Sequence, residues 1–414
     1  CEAGYNGGGA FLLVYLLIVL VLGIPTMLSE FIIGRKAQRN PVGAFRVLAP
    51  ESAWPLAGFM GVFCAWILLS FYSTVSGWTL EYIIKAAGND FQGKELAAIE
   101  QDFSDFHNLG WRNVLWQSIF IFLTGFVVFN GVKKGIERYS KILMPLLLLI
   151  LIILGVKSLS LPNAGEGIRF LFRPDFSKIT GKVLISALGQ AFFSLSVGMG
   201  ALITYGSYIK KNDNLATTAL SVTLSDTLVA ILAGIVIFPA AFSFGIQPTA
   251  GIGLVFNTLP MIFNQMQGGY FFCIIFFVLL AIAALTSTIS LLEVIVVYVV
   301  EELHLSRKLA TVLASVATLA LGVFASLSLT DDTRFIIGGR PLFDGLDFFS
   351  SNILLPLGGL LIVVFVGWFM GKKKYFDEIT NEGQIKVKMK GVILFIIKYI
   401  APVLIAAIFI NCIR

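Results

Sequence analysis

The residues best suited to chemistry lie together in Ser194-Leu195-Ser196-Val197-Gly198-Met199-Gly200, where two hydroxyls and two mid-run glycines interrupt an apolar run from Val183 to Tyr208. A backbone that breaks at such a point frees N–H and carbonyl groups, which bind ions and carboxylates. The same residues also suit a small-residue packing face between helices. A second cluster, Ala283, Ala284, Thr286, Ser287, Thr288 and Ser290, offers hydroxyl oxygens to a hard cation. Sodium takes such oxygens without a dedicated carboxylate. Serine and threonine in an apolar helix also bond back to the carbonyl one turn earlier. Four acids, Glu30, Asp226, Glu293 and Glu301, lie within or at the end of apolar runs, where charge is costly. Neither of the deeper two, Asp226 and Glu293, has a histidine or serine at a catalytic spacing, so hydrolytic chemistry is not supported. Cys1, Cys64, Cys273 and Cys412 are far apart, and His107 and His304, both read as loop residues, are too few for a metal cluster.

The elements that must position these groups follow from composition. Of 414 residues, 57% are hydrophobic and 13% charged, with a mean hydropathy of +0.89. Soluble domains carry roughly 45–50% apolar and about 25% charged residues. So much apolar surface cannot be hidden in one core, and the solvent must be lipid. A cytosolic enzyme, a secreted disulfide scaffold and a disordered chain are excluded. Ten apolar runs of spanning length are predicted, at Ala10–Gly34, Trp54–Ala86, Asn113–Val132, Ile142–Val156, Val183–Tyr208, Leu215–Phe244, Tyr270–Val300, Leu309–Leu329, Phe348–Met370 and Val392–Ile413. Their continuous apolarity, without alternation, excludes an outer-membrane barrel.

The net charge of +6 belongs to the loops, not to a nucleic-acid surface. With alternating spans, eighteen basic residues fall on one side, among them Arg35, Lys36, Lys133, Lys134, Lys210, Lys211, Arg307, Lys308 and the lysines between 372 and 390. Eleven, including Arg334 and Arg414, fall on the other. The richer side is predicted to be cytoplasmic, which places residue 1 and the C-terminus outside. Cys1–Tyr5 carries no initiator methionine and no signal peptide, and reads as the end of an N-terminally truncated first helix.

Several segments resemble the neurotransmitter:sodium symporters, in the bacterial eleven-helix form. They are Asn6-Gly7-Gly8-Gly9-Ala10-Phe11, Gly23-Ile24-Pro25, Glu30, Gly34-Arg35, Ser76-Gly77-Trp78-Thr79-Leu80 and Lys134-Gly135-Ile136-Glu137-Arg138 followed by Pro145. Gly189-Gln190-Ala191-Phe192-Phe193-Ser194-Leu195-Ser196, Leu285-Thr286-Ser287 and Leu305-Ser306-Arg307-Lys308 continue the likeness along the whole chain.

The resemblance implies an all-α polytopic membrane protein of two inverted five-helix repeats plus an eleventh helix, with the first and sixth helices broken at the midplane. Residues 1–5 would end the first helix, 6–158 complete the first repeat, 183–371 form the second, and 390–413 the eleventh helix. It further implies sodium-coupled import of a neutral, hydrophobic or aromatic L-amino acid by alternating access, with no enzymatic step. The alternative is a proton- or other-ion-coupled carrier on the same fold. Carried over by position, Tyr72 would contact the substrate carboxylate, Phe193 would form a lid, and Leu68, Ser194, Ser196, Met199, Ser287 and Leu291 would line the pocket. Ser194 and Ser225 would serve a first sodium site, and Ala283, Thr286 and Ser287 a second. Asp226, helped by Glu30, would be a fixed anion that removes any need for chloride. Asp347 would belong to the outer gate, and Tyr208 and Glu301 to the inner gate.

Overall fold

The computed structural model describes residues 2–245, 253–330, 335–337 and 339–413. Cys1, Arg334 and Arg414 lie outside the described residues, as do the side chains of Lys133, Lys134 and Cys412. Lipid offers the backbone no hydrogen bonds, so a spanning segment must satisfy every N–H and carbonyl within itself. The apolar runs accordingly fold as helices: α1 (Gly9–Ala37), α2 (Pro55–Ala87), α3 (Gly110–Phe129) and α4 (Arg138–Leu159). Two short pieces follow, α5 (Gly181–Ser194) and α6 (Ala201–Gly206). Then come α7 (Leu215–Ser243), α8 (Gly269–Glu302), α9 (Arg307–Leu327), α10 (Leu342–Phe369), the short α11 (Lys372–Ile379) and α12 (Lys390–Ile410). Nine of these, all but α5, α6 and α11, are long and apolar enough to cross a bilayer. The remaining run, Val183–Tyr208, is not one helix but the pair α5 and α6.

The scaffold is built on α2 and α8, of 33 and 34 residues, which pack along each other. At 1.5 Å per residue each is about 50 Å long, more than a hydrocarbon core of ~30 Å requires. Buried hydroxyls and amides tie neighbours to this pair. Ser326 of α9 meets Thr74 of α2 at 2.8 Å and donates to Gln117 of α3 at 2.9 Å, while Gln117 donates to Ser73 at 2.8 Å. In lipid such groups have no water to turn to, so they bind helix to helix.

Several stretches take π geometry. The turn Val19–Gly23 of α1 lies just before Pro25, whose ring crowds the preceding turn and cannot donate, which an expanded turn accommodates. Another, Val132–Glu137, runs into α4, which carries Pro145 inside it. Between α2 and α3 an amphipathic helix, Leu96–Asn108, packs against the end of α2. It carries His107, which is therefore helical and packed, with its ring 4.3 Å from Trp78 and 4.1 Å from Phe103. His304, by contrast, lies exposed in the turn after α8.

Candidate functional site

The break between α5 and α6 is written into the backbone. Ser196, Gly198 and Gly200 have φ of 55°, 88° and 75°, the left-handed region that disfavours side chains. At Gly198 a Cβ would also come within 2.4 Å of the Leu355 carbonyl oxygen, so the position excludes anything larger. The freed backbone is met by α1. Glu30, fully buried, accepts from the Gly198 N–H at 2.7 Å. Gly34 lets α1 approach so closely that a Cβ there would lie 2.1 Å from the Ile203 carbonyl oxygen of α6. Beyond α6, Arg35 donates to the Asp213 carbonyl at 2.7 Å. A carboxylate before α6 matches the polarity of that helix end.

Beside the break lies a cavity of about 240 Å³. Leu68 and Tyr72 reach it from α2, Phe193 and Ser194 from the end of α5, and Ser196 and Met199 from the break. Ser287 and Leu291 reach it from α8, and Asp226 from α7. The lining mixes apolar Leu68, Met199 and Leu291 with hydroxyls and the carboxylate of Asp226. The Tyr72 and Phe193 rings meet edge to face at 6.4 Å. Phe193 keeps 36% exposure, as a residue at the mouth would.

Asp226 accepts from the Ser194 hydroxyl at 2.6 Å and from the Tyr15 hydroxyl at 3.5 Å. Ser225 is not brought to Ser194: it is exposed and lies off the cavity. Consecutive helical residues point about 100° apart, and on α7 it is the acid that faces inward. On α8, the Thr286 hydroxyl donates to the Ala283 carbonyl at 2.8 Å and the Ser287 hydroxyl to the same oxygen at 3.3 Å. The three oxygens thus converge on one turn, engaged as back-bonded hydroxyls.

The model of the sodium:neurotransmitter symporter family matches residues 2–94 and 85–414. An uncharacterized sodium-dependent transporter of Bacillus subtilis, YhdH, is 38% identical over 99% of this chain and 91% of its own length. The crystal structure of MhsT in complex with L-phenylalanine superposes with a TM-score of 0.92 at 42% identity, covering 99% of this chain and 93% of MhsT. A sodium- and chloride-dependent GABA transporter of Drosophila melanogaster, ine, is 24% identical over 88% of this chain and 43% of its own length. The chain belongs to the sodium:neurotransmitter symporter family. It is a sodium-coupled membrane transporter and not an enzyme, and the inverted-repeat fold expected from its motifs is consistent with the match to MhsT.

In this symporter the expected gate residues have separate partners. Tyr208 does not meet Glu301; it donates to Glu293 at 2.7 Å. Glu301 accepts from the backbone and side-chain nitrogens of Asn40 at 2.8 and 2.9 Å. Asp347, exposed on α10, accepts from Ser351 at 3.0 Å. Glu293 is fully buried and held from both oxygens by Arg307, whose Nη1 lies 3.1 Å away. Sequence reasoning singled out Glu293 but missed this Arg307–Glu293–Tyr208 chain. The signal was present, an acid deep in one apolar run and an arginine opening the next. It also missed Gln190, which lines the cavity, and Tyr205, which donates at 3.0 Å to Ser290, a member of the hydroxyl cluster that reaches the cavity as well.

Proposed function

We propose that this symporter imports a neutral amino acid with an apolar side chain, aliphatic or aromatic, by alternating access and without chloride. The carrying observation is the lining of the cavity: apolar Leu68, Met199 and Leu291 share it with hydroxyls and one carboxylate, Asp226, which is tied to Ser194 at 2.6 Å. No cation lines the cavity, among the described residues, to pair with an acidic side chain. Met199 repacks around substrates of different bulk. Tyr72 hydrogen-bonds the substrate carboxylate, Phe193 closes over it, and Ser287 and Ser196 complete the polar lining. The likeness to MhsT, solved with L-phenylalanine, supports the same class of substrate.

Two sodium ions accompany the substrate. Ser194 contributes to the first site, with Asp226 in the place first given to Ser225; Ala283, Thr286 and Ser287 form the second. Sodium beside a zwitterion in a medium of low dielectric leaves positive charge that a nearby anion must balance. Asp226 is that anion, built into the protein, which is why no chloride is required; Glu30 instead supports the break. Coupling requires only that sodium and substrate together favour one state over the other. The lysine-rich loops face the cytoplasm, so the C-terminus lies outside.

Competition by each of the twenty amino acids against labelled phenylalanine uptake tests the substrate class. Inhibition by phenylalanine, leucine, methionine and tryptophan is expected. Inhibition confined to glutamate or lysine would refute it.

A further inference from the structure

The segment joining α10 to α12 is the most basic stretch of the chain and none of the transport chemistry uses it. Lys372, Lys373, Lys374, Lys386, Lys388 and Lys390 fall within nineteen residues, and all six are exposed. Only Asp377, Glu378 and Glu382 oppose them, and Glu378 is turned inward, 2.6 Å from Arg35 and 3.7 Å from Lys36. Lys372 and Lys390, from opposite ends of the segment, lie over the same Phe376 ring at 5.6 and 5.3 Å from its centroid. Tyr375 and Ile379 bury the other face of α11 and fix it to the body.

Both ends of this segment emerge from membrane spans. At its base Trp368 is exposed and donates its indole N–H to the Lys398 carbonyl at 2.9 Å, with the Tyr399 ring 5.7 Å away. Tryptophan and tyrosine settle at the level of the lipid headgroups. The lysines therefore stand where phosphates stand, gathered by the fold with too few acids to neutralise them. Each lysine near an anionic leaflet strengthens binding about fivefold, so six are enough for a firm site even when their effects are not fully additive.

We propose that this lysine face docks the headgroups of anionic phospholipids. The site bears on transport through α11. Glu378 and its own carbonyl hold Arg35, a fully buried residue that also donates to the Asp213 carbonyl at 2.7 Å, behind the broken helix. A lipid that immobilises α11 thereby steadies the turn at Lys211–Asp213, between α6 and α7. This last consequence rests on the function proposed above; the docking does not.

The test is native mass spectrometry of the full chain in neutral micelles titrated with short-chain phosphatidylglycerol, with phosphatidylcholine and inorganic phosphate as controls. Phosphatidylglycerol is expected to bind saturably and phosphatidylcholine not at all, with inorganic phosphate unable to displace it. Changing the six lysines to glutamine should raise the half-saturating phosphatidylglycerol concentration by at least about tenfold, and changing them to arginine should not. A triple variant, Lys386→Gln, Lys388→Gln and Lys390→Gln, spares α11 and should give an intermediate shift. Equal binding of both lipids, displacement by inorganic phosphate, or unchanged affinity in the glutamine variants would overturn the assignment. The readout needs no transport, so its failure is separable from failure of the proposed substrate or ion coupling.

Discussion

The Ser194 hydroxyl donates to the Asp226 carboxylate at 2.6 Å, joining the broken end of α5 to α7 at the edge of the central cavity. This single bond places a negative charge beside the freed backbone, where a cation and a substrate carboxylate would meet. Replacing that carboxylate with a neutral hydroxyl therefore tests the electrostatic role. Asp226→Ser is expected to cut uptake at least about tenfold in gluconate and to respond to added chloride, whereas the parent protein transports equally in gluconate and chloride. Parallel uptake assays in the two salts check it, and parent uptake that collapses in gluconate would rule the fixed anion out.

Thr286 offers a hydroxyl to a shared oxygen cluster, so its isosteric loss should be felt by sodium and not by the fold. Thr286→Val is expected to weaken sodium-dependent binding by about 1–3 kcal/mol, roughly 5- to 150-fold, with an unchanged unfolding temperature. A sodium titration of substrate binding decides; an unshifted curve would show that this hydroxyl only bonds back to Ala283.

Legibility in the sequence followed the physics of each feature. The spans were readable because lipid demands long apolar runs; the glycines and serines at 194–200 suited a break and a helix-packing face alike, and the resemblance decided between them. The eight residues that the resemblance implied for the substrate pocket stand around one cavity, brought there from α2, the end of α5, the break and α8. The choice between Ser225 and Asp226 was not readable: neighbours on a helix differ by a rotation that only packing resolves. The Arg307–Glu293 pair spans a helix boundary, and nothing local announces that Tyr208 will reach Glu293 in place of Glu301. The packing of the Leu96–Asn108 helix, which holds His107, likewise depends on tertiary contacts with Trp78.

His107 provides a pH readout outside the membrane. Burial among Trp78 and Phe103 pushes its imidazole down to about 4, below the ordinary value near 6.5. The open form thus takes up a proton first as pH falls. The stability that neutral His107 contributes is whole above about pH 6.5 and lost progressively toward pH 4. Protection factors across residues 96–108, with the intrinsic base-catalysed exchange rate divided out, should fall between pH 7 and pH 5 in the parent and stay flat in His107→Phe; identical profiles would contradict this.

Glu293→Gln should lower the thermal midpoint in detergent by leaving Arg307 without its counter-charge. The cost is up to about 3 kcal/mol, reduced because the Arg307 side chain keeps 27% exposure. Adding Arg307→Gln should recover part of the loss. A double variant less stable by the sum of the single effects would show that the pair is not coupled.

The central claim is that sodium drives an apolar amino acid through the cavity beside the α5–α6 break. Its most direct test is uptake of labelled phenylalanine by the full-length protein in sealed liposomes under an imposed inward sodium gradient. Accumulation above equilibrium is predicted with sodium outside, none with choline in its place, and none from a proton gradient alone. Accumulation driven equally well by a proton gradient in the absence of sodium would contradict the account.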